Sequence, residues 1–374
     1  MDEPLYCESA GSAVEHRQRM KRELDGLILS LRARADQRRA AFFRPDTTSL
    51  LAYQAGTVAY RRKLRALLGW PLRPRPDVRT PVRAEIIPVG EDHLGTITRL
   101  WISTLPGVAT YGVLFIPQAH GPHGPGPFPL VISQHGGGGT PELCSGLWGS
   151  STNYNDMTRR VLRRGCAVFA PQLHLWNEAY QPRTQREEFN RSLVQLGGSM
   201  AALEVFRLQR CLDYLVTRPE IDGQRIGMIG LSYGGFYTLL TAALDLRIKA
   251  ALSSCFLNNR YVYNWHDWVW RGSALKFLDA EMGQLICPRH LWIEVGRSDN
   301  LFAIQHVGSE AAKIAATYAK LGRSDHFHLR EFDGGHELDR SDDGVEFLCA
   351  ALEVANRHPQ FVVDRQRGDL GANR

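Results

Sequence analysis

Ser232 lies in Gly230-Leu231-Ser232-Tyr233-Gly234-Gly235, directly after the apolar run Ile226-Gly227-Met228-Ile229 and before a helical pattern from Phe236 to Leu244. A buried strand that turns sharply into a helix has this pattern, and the turn lifts the serine hydroxyl above the sheet. Glycine at 230 and 234 lets strand and helix cross where a Cβ would collide. A serine hydroxyl is a poor nucleophile at neutral pH. It needs a base, the base needs an orienting acid, and the oxyanion that forms needs hydrogen-bond donors. Without those partners the stretch reads as an ordinary glycine-rich turn.

The chain offers each partner. His336, in Phe332-Asp333-Gly334-Gly335-His336-Glu337, follows a strand pattern and precedes the last helical one. Its two glycines make a loop that can bring an imidazole over the sheet edge. Asp299, in Glu294-Val295-Gly296-Arg297-Ser298-Asp299, follows the preceding strand, at the carboxyl end where parallel sheets place their sites. Its competing role is to cap the turn at Leu301-Phe302. Glu294 sits inside the strand and reads as structural, and Asp325 and Asp333 are less well placed. The oxyanion donors are expected from the backbone N–H of Tyr233 and from Gly137 or Gly138 in the loop His135–Gly139. Four consecutive glycines there also suggest phosphate binding, but no Gly-Lys-Ser/Thr follows, which excludes a P-loop.

These residues need a sheet beneath them. The short apolar strands near 130–133, 166–170, 226–231, 250–253 and 290–295 alternate with helical patterns near 153–164, 199–217 and 303–321. That alternation predicts a mostly parallel sheet covered on both faces, with a last strand at 327–332 and a closing helix at 342–356. Strand-like runs at 82–89, 96–104 and 108–116 predict an antiparallel start. Before them, residues 12–43 show Val14, Leu24, Leu27, Ile28, Leu31 and Ala35 as a helical stripe. A second helix, capped by Thr47 or Thr48, runs to Leu68. These helices make an N-terminal extension over 1–75, joined by the stiff Pro71–Pro76 linker to a catalytic domain over 76–360, with a loose tail at 361–374. The extension is read as packing, as a cap over the site, or as a homodimer interface.

The segments 174–198 and 256–288 are too long for simple connections and are read as a lid. Trp148, Trp176, Trp265 and Trp268 are the candidates to wall a substrate pocket, and the rival reading is that they pack the lid onto the body.

Charge is informative by location. Residues 1–80 hold 16 Lys and Arg against 9 Asp and Glu, and the other 294 hold 29 against 30. The basic excess reads as solvated helix faces, and no nucleic-acid partner is expected. No apolar run reaches the length of a membrane span, so no membrane partner is expected. Seven cysteines, an odd number in mostly apolar runs, together with an N-terminus unlike a signal peptide, suggest buried thiols in the cytoplasm. No metal-ligand spacing and no nucleotide or redox fingerprint is present in the sequence, so no cofactor is expected.

The order Ser232, Asp299, His336 is that of α/β-hydrolases, and from about residue 82 to 356 the chain resembles that superfamily. The His135 glycine loop, the Ser232 elbow, Gly296-Arg-Ser-Asp299 and Gly334-Gly-His336 are similar to its dienelactone-hydrolase and acetyl-xylan-esterase-like branch. Leu67-Leu68-Gly69-Trp70-Pro71 resembles the turn that ends a helical extension in that branch. The resemblance implies an α/β-hydrolase fold and hydrolysis of a small-molecule ester. Dienelactone hydrolases proper use a cysteine nucleophile, and Ser232 in its place favours ester hydrolysis over a lactone-specific activity; the expected substrate is a short-acyl, acetyl-type ester of a carbohydrate or aryl alcohol. The alternatives are an amide, peptide or C–C hydrolase on the same fold, or a binding protein without catalysis.

Overall fold

The computed structural model describes residues 5–76, 81–149, 153–174 and 182–353. Trp176 and the tail at 361–374 lie outside the described residues. The chain begins with helices α1 (Val14–Phe42) and α2 (Leu50–Leu68). Strands β1 (Ala84–Asp92), β2 (Gly95–Leu105), β3 (Val108–Pro117) and β4 (Phe128–Gln134) follow. Helices α3 (Pro141–Ser145) and α4 (Met157–Arg163) lead to β5 (Ala167–Pro171). Then come α5 (Pro182–Gln195), α6 (Met200–Leu215), β6 (Ile221–Leu231), α7 (Tyr233–Leu244) and β7 (Ile248–Ser254). The chain closes with α8 (Asp279–Ile286), β8 (His290–Gly296), α9 (Gly308–Lys320), β9 (Phe327–Phe332) and α10 (Asp343–Ala350).

The strands form one nine-stranded sheet among the described residues, in the order β1-β2-β3-β5-β4-β6-β7-β8-β9. The meander β1–β3 and the β3–β5 pair are antiparallel. From β5 through β4, β6, β7 and β8 to β9 every pair is parallel. The central strands β4 and β5 are buried along their whole length, as expected where helices cover both faces. One core cluster packs α2, α6, α7, α8 and α9 on one face, and a second packs α4 and α10 on the other. All twelve residues of α7 are buried, so this helix is apolar on every side because every side is covered.

Three features describe the N-terminal helices. First, α2 belongs to the main core, where Tyr53, Leu64 and Leu68 pack in the same cluster as Phe236 and Leu240. Arg61 donates to Ala243 O (3.0 Å) and Leu285 O (2.6 Å), and Arg65 donates to Leu244 O. These guanidiniums satisfy the last carbonyls of α7, at the negative end of its dipole. They therefore lie at the opposite end of α7 from Ser232, and α2 is no cap over the site. Second, the cap of α2 is Ser49, whose hydroxyl accepts from Ala52 N. Thr48 instead donates through its hydroxyl and its N–H to Asp46. Third, the α1 stripe is covered only at its carboxyl end. Ala35, Arg39 and Phe43 are buried, while Val14, Leu24, Leu27, Ile28 and Leu31 are exposed. No helix among the described residues is long and apolar enough to cross a membrane, and all seven cysteines are unpaired.

This division of labour predicts unequal costs. Leu64→Ala should lose about 2–5 kcal/mol in urea denaturation, and Leu24→Gln less than about 0.5 kcal/mol. Equal losses would contradict the packing described.

Candidate active site

The elbow is built by strain and by missing side chains. Ser232 has φ 59 and ψ −117, a conformation that costs a non-glycine residue about 1–3 kcal/mol. Backbone bonds hold it there: Ser232 N donates to Ser254 O (2.9 Å), and Phe236 N to Ser232 O (2.9 Å). A Cβ on Gly230 would overlap the backbone of Gly234, and one on Gly234 would overlap the carbonyl oxygen of Gln134. The crossing of β6, α7 and β4 therefore admits only glycine at both positions, as the sequence pattern implied.

Asp299 and His336 come together at the ends of β8 and β9. His336 Nδ1 donates to Asp299 Oδ2 at 2.9 Å. The other carboxylate oxygen accepts the N–H groups of Leu301 (2.8 Å) and Phe302 (2.9 Å). Asp299 thus caps the turn with one oxygen and bonds His336 with the other. Burial alone would raise this carboxyl, but the bond and charge of His336 and the two backbone N–H groups outweigh it and hold Asp299 below the usual carboxylate range. The His336 loop is tied to the body largely through its main chain. Ser254 Oγ donates to Glu337 O (3.3 Å), Leu338 N to Asn153 O (2.8 Å), and Ser298 N to Gly334 O (2.9 Å). Glu294, read as structural, accepts Asp339 N (2.9 Å) and the indole N–H of Trp292 (3.0 Å) from inside the core.

The glycine loop is fixed by two residues the sequence reading did not single out. His135 is fully buried. Its Nδ1 donates to Gly136 O (2.7 Å) and its Nε2 accepts Leu173 N (2.9 Å), an arrangement that only one neutral tautomer allows. Tyr154 Oη accepts Gly136 N (2.8 Å). Gly139 N turns back to Gly136 O (3.2 Å), and Gly137 and Gly138 face the opening.

Ser232 and His336 share one cavity of about 440 Å³ with Gly136, Gly137 and Gly138. They make no hydrogen bond to each other, a common condition in free hydrolases, where such bonds close on substrate. Tyr233, Trp265 and Leu301 add apolar wall, and Asn153, Arg186, Glu187 and Asp267 add polar wall. Among the described residues, none of the N-terminal extension lines it. A larger cleft of about 560 Å³ opens at the far end of α7 among Arg62, Arg65, Arg73 and Arg75, away from any nucleophile.

The tryptophan expectations divide. Trp265 lines the cavity. Trp268 does not: it is buried behind Trp265, stacked on it at 4.4 Å between ring centroids, and packs on Tyr233 and Phe256. Trp148 is 54% exposed and forms no part of the wall. Trp176 lies outside the described residues.

The polar wall belongs to a buried ion cluster. Arg186 on α5 reaches inward to Asp267 Oδ2 (2.6 Å), Glu204 Oε1 (2.9 Å) and Tyr237 Oη (2.5 Å). Glu204 also meets Arg207, and it accepts His174 N (2.9 Å). Asp267 Oδ1 accepts the hydroxyl of Tyr233 at 2.9 Å. Burial would raise the Glu204 carboxyl, but Arg207, His174 and Arg186 hold it well below its usual range. Separately, Cys255, Asp299 and His336 bring sulfur, oxygen and nitrogen donors within 4.8 Å of one another. The sequence, with no ligand spacing to read, gave no sign of this group.

Comparison with known proteins finds hydrolases that share this fold. The dienelactone hydrolase family matches residues 144–255, a stretch that contains the elbow but neither Asp299 nor His336. A Bacillus subtilis protein named "Putative hydrolase YtaP" is 27% identical over 225 residues, 56% of this chain and 74% of that one. A glucuronoyl esterase from Solibacter usitatus superposes with a TM-score of 0.62 at 14% identity, over 82% of this chain and 94% of that one. Acetyl xylan esterase 1 from Thermoanaerobacterium gives 0.54 at 16% identity, over 80% and 93%. At these identities the solved structures establish the shared fold.

His135 makes the site sensitive to acid. Burial pushes its imidazole down to about 4, whereas the unfolded chain protonates near 6.5. The unfolded state therefore binds the proton first, and stability present above about pH 6.5 falls as pH drops toward 4, by up to about 3 kcal/mol. Half-buried His290, also held near 4 by burial and by His326, acts in the same direction. Melting curves from pH 7.5 to 4.5 should show this decline, and His135→Asn should flatten part of it. An unchanged slope in that variant would show that His135 is not the group responsible.

Proposed function

We propose that this chain, which has the α/β-hydrolase fold and matches the dienelactone hydrolase family over residues 144–255, is a serine carboxylester hydrolase working through an acyl-enzyme. The observation that carries this reading is the Asp299–His336 hydrogen bond of 2.9 Å, with His336 on the same cavity wall as a strained Ser232.

Asp299, held as a carboxylate, fixes the proton of His336 on Nδ1 and leaves the Nε2 lone pair to face the cavity. Nε2 takes the Ser232 proton as Oγ attacks the ester carbonyl, and the imidazolium that results is balanced by Asp299. The oxyanion is received by the N–H of Tyr233 and by one from Gly137 or Gly138. Collapse expels the alcohol, which receives its proton from His336. Water, deprotonated by the same nitrogen, then releases the acid from Ser232.

A cavity of about 440 Å³ supports a short acyl group with a ring-sized alcohol. Trp265 offers a face to a sugar or aryl ring, and Asn153 and Asp267 offer polar groups to its hydroxyls. The carbohydrate esterases among the fold neighbours favour an acetylated sugar over a plain aryl ester. Six of the seven cysteines are buried and unpaired, which supports a reducing, cytoplasmic setting.

Hydrolysis of p-nitrophenyl acetate, butyrate and octanoate tests the reading. Acetate should be preferred. Ser232→Ala should lower kcat by at least about 10³-fold, and Asp299→Asn by about 10²–10⁴-fold with little change in KM. Fluorophosphonate should label the wild type and not Ser232→Ala. A folded Ser232→Ala protein that still hydrolyses acetate would remove Ser232 from the mechanism.

A further inference from the structure

Cys255 has no part in the mechanism above, yet it lies against its machinery. It follows β7 with φ 48 and is fully buried. Its Sγ is 3.2 Å from Glu337 O and 3.8 Å from Gly335 O, the carbonyls on either side of His336. Its sulfur, an Asp299 carboxylate oxygen and a ring nitrogen of His336 all lie within 4.8 Å of one another. We propose that these three side chains form a Zn²⁺ site whose occupation switches the hydrolase off.

The donor set selects the ion. Magnesium and calcium take oxygen ligands and leave thiolate and imidazole unused. Zinc accepts sulfur, nitrogen and oxygen, at about 2.0–2.3 Å, and tolerates three protein ligands with a fourth position for water. Charge balance agrees. A thiolate and a carboxylate neutralise the two positive charges, so the occupied site carries no net charge into the buried interior. Drawing the three donors in from a 4.8 Å envelope needs small side-chain movements and no refolding of the strand ends.

The inhibition follows from where the protons go. In the free enzyme the His336 proton sits on Nδ1, shared with Asp299, and Nε2 holds the lone pair. When Zn²⁺ binds, Nδ1 gives its lone pair to the metal and the imidazole proton moves to Nε2. Cys255 loses its S–H proton to solvent, so one proton leaves for each ion bound and nothing is oxidised or reduced. An imidazole with hydrogen on Nε2 cannot accept the Ser232 proton. The same ion removes Asp299 as the partner of His336. Among the three ligands only His336 lines the cavity, so the ion passes when the ring swings aside. Onset should be slow, and recovery should require a chelator.

Loss of activity rests on the serine-hydrolase reading, whereas metal binding does not, and the experiment separates them. Full-length protein with the exposed Cys7 replaced by Ser is titrated with Co²⁺ alone. A near-ultraviolet thiolate-to-cobalt charge-transfer band is expected, and it should vanish in Cys255→Ser and Cys255→Ala. Zn²⁺ should inhibit p-nitrophenyl acetate hydrolysis in a time-dependent, EDTA-reversible manner, at least tenfold more weakly in Cys255→Ser, which keeps the size and hydrogen bonding of the residue. A band lost with Cys255 in a protein without esterase activity would support the site and count against the serine-hydrolase reading. No band in an active enzyme, or a band and zinc sensitivity unchanged by both substitutions, would overturn the site.

Discussion

The contact on which most of this structure depends is the buried carboxylate of Glu204. It stands on α6 with no exposure and gathers Arg186 from α5, Arg207 from its own helix and the backbone N–H of His174. Burying such charges is expensive, and it is tolerated only when each finds its partners. Removing one partner leaves another charge stranded, which costs more than the pair contributes. Arg186 therefore cannot leave without taking a charged partner from Glu204 and Asp267 together. The segment that length alone marks as a lid is thus fastened, at α5, by an arginine that reaches through it into the core. That same arginine reaches Tyr233, the residue after Ser232, by way of Asp267. Cavity wall, elbow and helical body are set by one continuous polar cluster rather than by apolar contact alone.

Strain at Ser232 is possible because of what surrounds it. β6 and α7 are buried around the elbow, and the glycines at 230 and 234 allow a crossing that side chains would block. The arginines of α2 and Arg289 occupy the carbonyls at the far end of the same helix. One helix is therefore fixed at both ends: its amino end presents Ser232 and its carboxyl end is closed by guanidinium groups. A rigid element is what a strained residue needs, since strain in a mobile turn would relax away.

How much of this was legible in the sequence depended on whether the signal was local. Ser232, Asp299 and His336 could be read because each follows a strand and sits among glycines that serve a turn. The parallel strands could be read because burial on both faces leaves uninterrupted apolar runs. Arg186 and Asp267 could not be read: a buried ion pair across 81 positions leaves no periodicity, and each residue looks like any surface charge. Cys255 was hidden for the same reason, since its neighbours lie 44 and 81 positions away in sequence. Trp268 and Trp148 misled because an aromatic residue shows its size in the sequence and not its direction. The α1 stripe gave the right helix and left open its covering, which the fold withholds over Val14 to Leu31, because amphipathicity does not say what covers the apolar face. The cap of α2 was read as Thr47 or Thr48, and the backbone geometry chose the adjacent Ser49 instead.

The loop that carries His336 is gripped mostly by its peptide groups, at Gly334, Glu337 and Leu338. A main-chain carbonyl is the same whatever residue bears it. Most side chains of this loop can therefore drift over generations without moving the imidazole, provided the glycines remain to let the chain turn. Sequence divergence at 337–341 would then say little about lost activity in descendants of this protein. A single change at Ser254 or Asn155, whose side chains supply the grip, would say more.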